Sequence, residues 1–191
     1  MVALDFETTG LDPAADRVIS FGAIPLEQGR IRLDRAIHRT ANPGVPVPPG
    51  VVPIHGIRPV DVARAPAIGA VVPELVAMTA GRTLIVWTGW IEAAFLSVTL
   101  GGTTRSWGRR MIDVRRLVVR LDEAVTPGLA PGRSETLGAC AARLGVPPEP
   151  AHDALADAFI TAQLFLVAVS RLEAMSRVGL RRLLRWGRPG G

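Results

Sequence analysis

The first ten residues constrain this chain more than any other stretch. An apolar run, Val2-Ala3-Leu4, leads straight into Asp5-Phe6-Glu7 and then into Thr8-Thr9-Gly10. On a strand, the i, i+2 spacing of Asp5 and Glu7 puts both carboxylates on one face. Such a strand needs neighbours, and the segments that follow supply them. Arg17 to Leu26 and Arg30 to Arg39 are β-rich and separated by Glu27-Gln28-Gly29, which predicts a hairpin extending the sheet. Asn42 to Pro53 is dense in Pro and Gly and reads as an extended loop ending at Ile54-His55-Gly56-Ile57.

The rest reads mostly as helix. Pro66 to Ala80 has helical character, followed by a short buried strand, Thr83 to Trp87, and a helix from about Trp90 to Leu100. Gly101 to Arg110 is a polar, Gly-rich connection, after which Met111-Ile112-Asp113-Val114 leads into a further helix. Thr126 to Arg133 reads as loop, Glu135 to Leu144 as helix, Gly145 to Ala151 as a Pro-rich turn, and Asp153 to Met175 as one long helix. A hairpin followed by crossover helices predicts a single α/β layer fold, and 191 residues, 48% of them hydrophobic, suffice for one buried core.

Charge narrows the partners. All 22 basic residues other than histidine are Arg, and there is no Tyr, a bias that reflects genome composition and strips weight from any individual Arg. The net charge of +5 still favours an anionic partner such as nucleic acid, whose phosphates Arg grips in bidentate fashion. The single cysteine, Cys140, lies in an apolar run and forms no internal disulfide, in keeping with a reducing cytoplasm. Phe159 to Val169, the longest apolar stretch, is too short to span a bilayer. No cationic segment followed by an apolar one opens the chain, so neither a secretion signal nor a membrane partner is expected.

The acids carry the chemistry. Asp5 and Glu7, Glu92 in Glu92-Ala93-Ala94-Phe95-Leu96, and Asp157 in His152-Asp153-Ala154-Leu155-Ala156-Asp157 each lie beside an apolar segment able to hold them rigidly. Hydrolysing a phosphodiester at neutral pH needs an activated water and a counter-charge for the attacking and leaving oxygens. Two divalent cations roughly 3.5 to 4 Å apart supply both. Magnesium prefers oxygen ligands, so such a site draws carboxylates from separate elements. His152 adds a base able to take a proton near pH 7. Five helical positions separate two side chains by roughly 140°, so His152 and Asp157 cannot share a helix face. His152 is therefore expected in the loop before the helix, with Asp153 as N-cap. Asp153 is also i, i+4 from Asp157, which leaves ligation open to it.

At these residues the chain resembles the DEDDh family of 3'-5' exonucleases. Leu4-Asp5-Phe6-Glu7-Thr8-Thr9-Gly10-Leu11 matches the first family motif, and Ile54-His55-Gly56-Ile57 an element bordering the nucleotide pocket. Trp90-Ile91-Glu92-Ala93-Ala94-Phe95-Leu96 occupies the second motif, Met111 to Leu117 the strand-to-helix junction, and His152-x4-Asp157 the third motif. Five matches in order, from Val2 to about Leu172, are far more specific than any one alone.

The resemblance implies an RNase H-like α/β fold, a mixed five-stranded sheet flanked by helices on both faces. It implies that Asp5, Glu7, Glu92 and Asp157 hold two Mg²⁺ or Mn²⁺ ions, that His152 is the general base, and that Thr8, Gly10 and His55 line the terminal nucleotide's site. The implied reaction releases nucleoside 5'-monophosphates from DNA 3' ends, single-stranded or frayed, in proofreading or repair beside a DNA polymerase and in the cytoplasm. An exoribonuclease of the same family, acting on RNA, and a binding module with impaired catalysis are the alternatives.

Two departures stand out. The family's second motif usually carries Asp where this chain has Glu92, and Trp87-Thr88 replaces a His-Asn pair. Only Met1, Val2, Ala3 and Leu4 precede Asp5, a shorter lead-in than relatives generally have, so either the natural start lies upstream or the first strand is short. Residues 1–175 are expected to form the exonuclease domain and 176–191 a basic tail. Arg177 to Arg188 in that tail is helix-like, with Leu180, Leu183 and Leu184 on one stripe. Docking on the domain, contact with DNA and binding of a partner are its three possible uses.

Overall fold

The computed structural model describes residues 1–128, 135–147 and 152–189. The loop expected over Thr126 to Arg133 and the turn expected over Gly145 to Ala151 therefore lie partly outside the described residues. Strand β1 (Val2–Thr8) is the centre of a mixed sheet. It runs antiparallel to β2 (Val18–Glu27), whose far edge is shared by β3 (Arg30–Ile31) and β4 (Ile37–Thr40). On its other side it pairs in parallel with β5 (Leu84–Val86), which pairs in parallel with β6 (Met111–Asp113). With β3 and β4 in one layer position, the sheet has the expected five positions across.

Alternation along the strands sorts the helices onto both faces. Val2, Leu4, Phe21, Leu84 and Val86 pack with buried residues of α3 (Ile68–Thr79) and α4 (Gly89–Leu100). Ala3, Ile24, Ile85 and Ile112 face the other way, onto α6 (Val114–Val125), α7 (Leu137–Leu144) and α8 (Ala154–Met175). Of these helices, α8 is long and apolar enough by length and composition to cross a membrane. Here it is a core helix, with Ala158, Ile160, Leu164, Phe165 and Ala168 buried against the sheet layer.

Several short elements differ from expectation. The hairpin turn forms at Gln28-Gly29, both at positive φ, as a type I′ two-residue connection requires. The Arg30 to Arg39 segment, however, is not one strand. A 3-10 turn at Leu33–Arg35 interrupts it, flanked by Arg32 bonded to both Glu27 and Asp34. The Pro-rich loop gives way to a one-turn helix, α1 (Val52–His55), closed by Gly56 at φ +70°, and then to α2 (Pro59–Arg64). The Gly101 to Arg110 connection holds α5 (Thr104–Gly108), capped by Thr103 accepting from Ser106 N at 3.1 Å. Thr103-x-x-Ser106 is a capping pattern present in the sequence, and it marks this helix.

The C-terminal segment docks. In α9 (Leu180–Trp186), Leu183 is buried in the cluster shared with α6 and α8. Just beyond it, the Gly187 carbonyl accepts from Asp113 N at 2.7 Å. A side chain at Gly187 would fall 2.7 Å from an Ile112 methyl, so glycine permits this close seat on β6.

Candidate active site

Three elements converge at one end of the sheet. Asp5 and Glu7 follow Ala3 on the face of β1 turned toward α8. The register shifts between Glu7 and Thr8, a bulge that ends regular pairing beside the acids. The Thr-Thr-Gly turn is then held from below by Asp16, whose carboxylate accepts from Thr9 Oγ1 at 2.8 Å and from Asp12 N at 2.9 Å. Asp16 lies so close to Gly10 that a side chain there would collide with it, 2.3 Å from a carboxylate oxygen.

The second element is the start of α8. Asp153 accepts from Leu155 N at 3.0 Å and Ala156 N at 2.9 Å, so it caps the helix, and Asp157 follows in the first turn. His152 stands outside the helix, as its spacing requires. Its backbone lies at φ +61°, in the left-handed region that is uncommon outside Gly, Asn, Asp and His, and its N–H donates to Asp157 Oδ2 at 3.2 Å. Left-handed backbone at a non-glycine residue is a strained feature concentrated at functional sites. Gly22, paired with Asp5, lets α8 sit this close: a side chain there would lie 2.3 Å from the Ala154 carbonyl oxygen.

The third element is the first turn of α4, which carries Glu92, only 5% exposed. Behind it Asp113 caps α6, accepting from Arg116 N at 3.1 Å and from Gly89 N at 3.1 Å. One carboxylate thus ties β6 and α6 to the start of α4. Asp113 belongs to the strand-to-helix junction read from sequence, but its link to Gly89 is long-range and carries no local signal.

All eight residues expected at the site line one cleft of about 420 Å³: Asp5, Glu7, Thr8, Gly10, His55, Glu92, His152 and Asp157. Ligand atoms of Glu7, His152 and Asp157 come within 4.8 Å of one another. Phe6, Leu11, Ile54 and Trp87 add apolar walls, and Thr136 and Leu137 from the start of α7 close one side. The contribution of α7 was not foreseen, because nothing local distinguishes its first residues from those of any surface helix.

The electrostatics are one-sided. Burial, then the charges of Glu92, Glu7, Asp157 and Asp153, hold the Asp5 carboxyl well above the usual carboxylate range. Burial, then Asp157 and Asp153, pushes Glu7 up to about 8. Glu92 also rises to about 8, through burial and then the Asp113 charge, and burial raises Asp157. Among the described residues no Arg pairs with any of these four acids, and the buried Glu92 Oε2 has no hydrogen-bond partner. Buried and half-buried acids without an Arg partner, one with an orphaned oxygen, form a donor set suited to hard divalent cations.

His55 offers the opposite polarity. Ile57 N–H donates to its Nδ1 at 3.1 Å, so the neutral ring carries its proton on Nε2, a buried atom without a partner. Burial, then the nearby His152, lowers its pKa and keeps it neutral. A neutral N–H donor therefore lines the same cleft as the acids.

Comparison with known proteins agrees with this geometry. Residues 2–165 match the RNase T exonuclease family. The chain is 32% identical over 176 residues to a DNA polymerase III subunit epsilon-like protein of Rhodobacter capsulatus, covering 91% of this chain and 24% of that protein. It is 31% identical over 183 residues to a PolC-type DNA polymerase III of Thermotoga petrophila, covering 95% of this chain and 12% of that protein. The chain thus spans a quarter or less of these two relatives. Among solved structures, exonuclease X in complex with 5' overhanging duplex DNA superposes with a TM-score of 0.70 at 19% identity, covering 97% of this chain and 98% of that one. That likeness establishes the RNase H-like fold. With the family's match running from the first strand into the long core helix, the chain belongs to the exonuclease family.

Proposed function

We propose that this chain is a metal-dependent 3'-5' exonuclease acting on single-stranded or frayed DNA ends. One observation carries the reading: Asp5, Glu7, Glu92 and Asp157, two buried and two half-buried and none paired with an Arg among the described residues, share a cleft with His152. These four carboxylates would hold two Mg²⁺ or Mn²⁺ ions. Bound there, the ions would supply positive charge to offset the attacking and leaving oxygens.

The chain's own groups do the rest. His152, placed outside α8 with its backbone tied to Asp157, takes a proton from the attacking water. The water oxygen bonds to phosphorus as the P–O3' bond breaks, and the departing 3' oxygen takes a proton from solvent. The products are a nucleoside 5'-monophosphate and a strand shorter by one residue. His55 Nε2–H and the Thr8 to Gly10 turn receive the terminal nucleotide, while Phe6, Leu11 and Ile54 exclude water from it. A terminal nucleotide must be splayed into such a cleft for its phosphate to reach the acids, which favours frayed ends. The relatives' names, both those of DNA polymerase III proteins, support DNA as substrate and a polymerase partner.

Glu92 reaches about 1.5 Å further than the Asp usual in the family, and magnesium tolerates misplaced ligands poorly. Activity is expected to favour Mn²⁺ over Mg²⁺. The test is incubation of the purified chain with 3'- and 5'-labelled DNA and matched RNA oligonucleotides, with each metal. Mononucleotides released from DNA 3' ends, and lost on Asp5→Ala, support the reading. Internal cleavage, turnover indifferent to Asp5→Ala, or inactivity with both metals sinks it.

A further inference from the structure

A second cleft lies on the other side of the first turn of α4. It has a volume of about 560 Å³ and is lined by Trp90, Arg105, Arg109, Arg188 and Pro189, with no acidic side chain. It shares no lining residue with the carboxylate cleft, although Trp90 is only two positions before Glu92. Every strong cationic side chain in this chain is Arg, and most described ones, Arg30, Arg64 and Arg181 among them, have no carboxylate partner, so what sets Arg105, Arg109 and Arg188 apart is that they converge on one cleft. Arg39, Arg58 and Arg143 are held by carboxylates at 2.6, 2.8 and 2.7 Å. Among the described residues Arg105, Arg109 and Arg188 have no such partner, and all three are exposed.

Of the four Trp, Trp90 is the exposed one. Arg110 lies over the Trp107 ring, and Arg120 and Arg182 over the Trp186 ring. Among the described residues no cation covers Trp90, which is 47% exposed. The cleft is also preformed. Pro189 sits so close to Gly89 that a side chain there would meet it at 2.5 Å, and the Gly187 carbonyl holds the segment to Asp113. Docking of α9 thereby carries Arg188 to the rim.

We propose that this cleft is a second nucleic-acid contact: Trp90 stacks on an unpaired base while Arg105, Arg109 and Arg188 bind the flanking phosphates. An open indole beside unpaired guanidiniums is the combination that holds single strands without reading sequence. The proposal rests on the nuclease reading for its ligand class. It adds that a strand ending in the carboxylate cleft crosses the first turn of α4 and is gripped again beyond it.

The test uses the full chain in EDTA, which stops hydrolysis, and a fluorescent oligothymidylate of about 12 nucleotides, within single-strand site sizes. Trp90→Ala is expected to weaken binding on the order of 5- to 150-fold. Replacing Arg105, Arg109 and Arg188 by Ala together is expected to flatten the dependence of log affinity on log salt by about 2. A control replacing the exposed Arg30, Arg64 and Arg181 separates this cleft from net charge. Crosslinking of a 5-iodouracil oligonucleotide to the unaltered chain is expected to mark Trp90, and that readout needs no variant.

Unchanged binding by the variants, an equal effect of the control, crosslinks confined to the carboxylate cleft, or an acidic peptide that binds here and is not displaced by oligonucleotide each overturns the proposal. A chain that digests DNA while Trp90→Ala binds normally loses only the second contact. A chain that binds oligonucleotide here yet hydrolyses none keeps the contact and loses the nuclease reading.

Discussion

The two sides of the carboxylate cleft are built differently. On the α8 side, Asp157 is held by backbone: the His152 N–H reaches it, Asp153 caps the same turn, and Gly22 lets the helix end approach β1. On the α4 side, Glu92 is held by burial, with an orphaned oxygen inside and the Asp113 charge behind it. The first side is positioned before any ligand arrives. The second carries an uncompensated acid whose cost is relieved only by a proton or a cation.

Removing that acid should have the largest effect. Glu92→Gln keeps the shape but lowers hydrolysis about 10³-fold, because a group offsetting several kcal/mol of developing charge is lost. Glu92→Asp is expected to keep measurable turnover and to shift the metal preference toward Mg²⁺. Steady-state rates with each metal check both, and equal activity of Glu92→Gln and the parent chain would break the comparison.

Gly22→Ala tests the other side without touching an acid. Its methyl would collide with the Ala154 carbonyl, so the start of α8 must move. A displacement near 1 Å costs about 10²-fold in rate, with about 1–3 kcal/mol of overpacking. Full activity with an unchanged unfolding midpoint would show that the close approach does not position Asp157.

Glu7 and Glu92 link metal to pH. Both stand at about 8 in the fold against an ordinary value of 4.5, so the folded chain stays protonated where the unfolded chain is ionised. The stability they confer is complete below about pH 4.5 and is lost as pH rises through about 8. In EDTA the unfolding midpoint should therefore fall between pH 5 and pH 8.5, and Mn²⁺ should raise it most at the upper end, where the acids are free to bind. A midpoint rising with pH, or a pH-independent metal effect, contradicts this.

The smallest effect is expected at Asp153. Asp153→Ala loses the cap and about 1 kcal/mol of stability, whereas Asp153→Asn keeps the cap and most of the activity. Loss of hydrolysis in Asp153→Asn with stability intact would make Asp153 a ligand.

Legibility followed range. The i, i+2 acids, the Asp153 cap and the exclusion of His152 from the helix depend on residues within a turn of each other, and the structure shows each arrangement. The break at Leu33–Arg35 was not legible, because its flanking bonds to Glu27 reach across the hairpin. Helix α2 is six residues long, too short to be stable alone, and forms where Val62 finds a buried seat. The family motifs brought distant acids together on paper, but by resemblance rather than by physics.

The sequence by itself determined the hairpin, the longer helices and the one-sided placement of Asp5 and Glu7, since periodicity and capping are local, while the grouping of distant acids into one candidate site came from family resemblance. Only the tertiary structure decided that α9 docks, that Gly22 and Gly89 are points of closest approach, that one oxygen of Glu92 is left without a partner, and that Trp90 shares a cleft with three unpaired Arg. Those facts depend on which surfaces meet, and residues far apart in the chain carry no local sign of the neighbour they will press against.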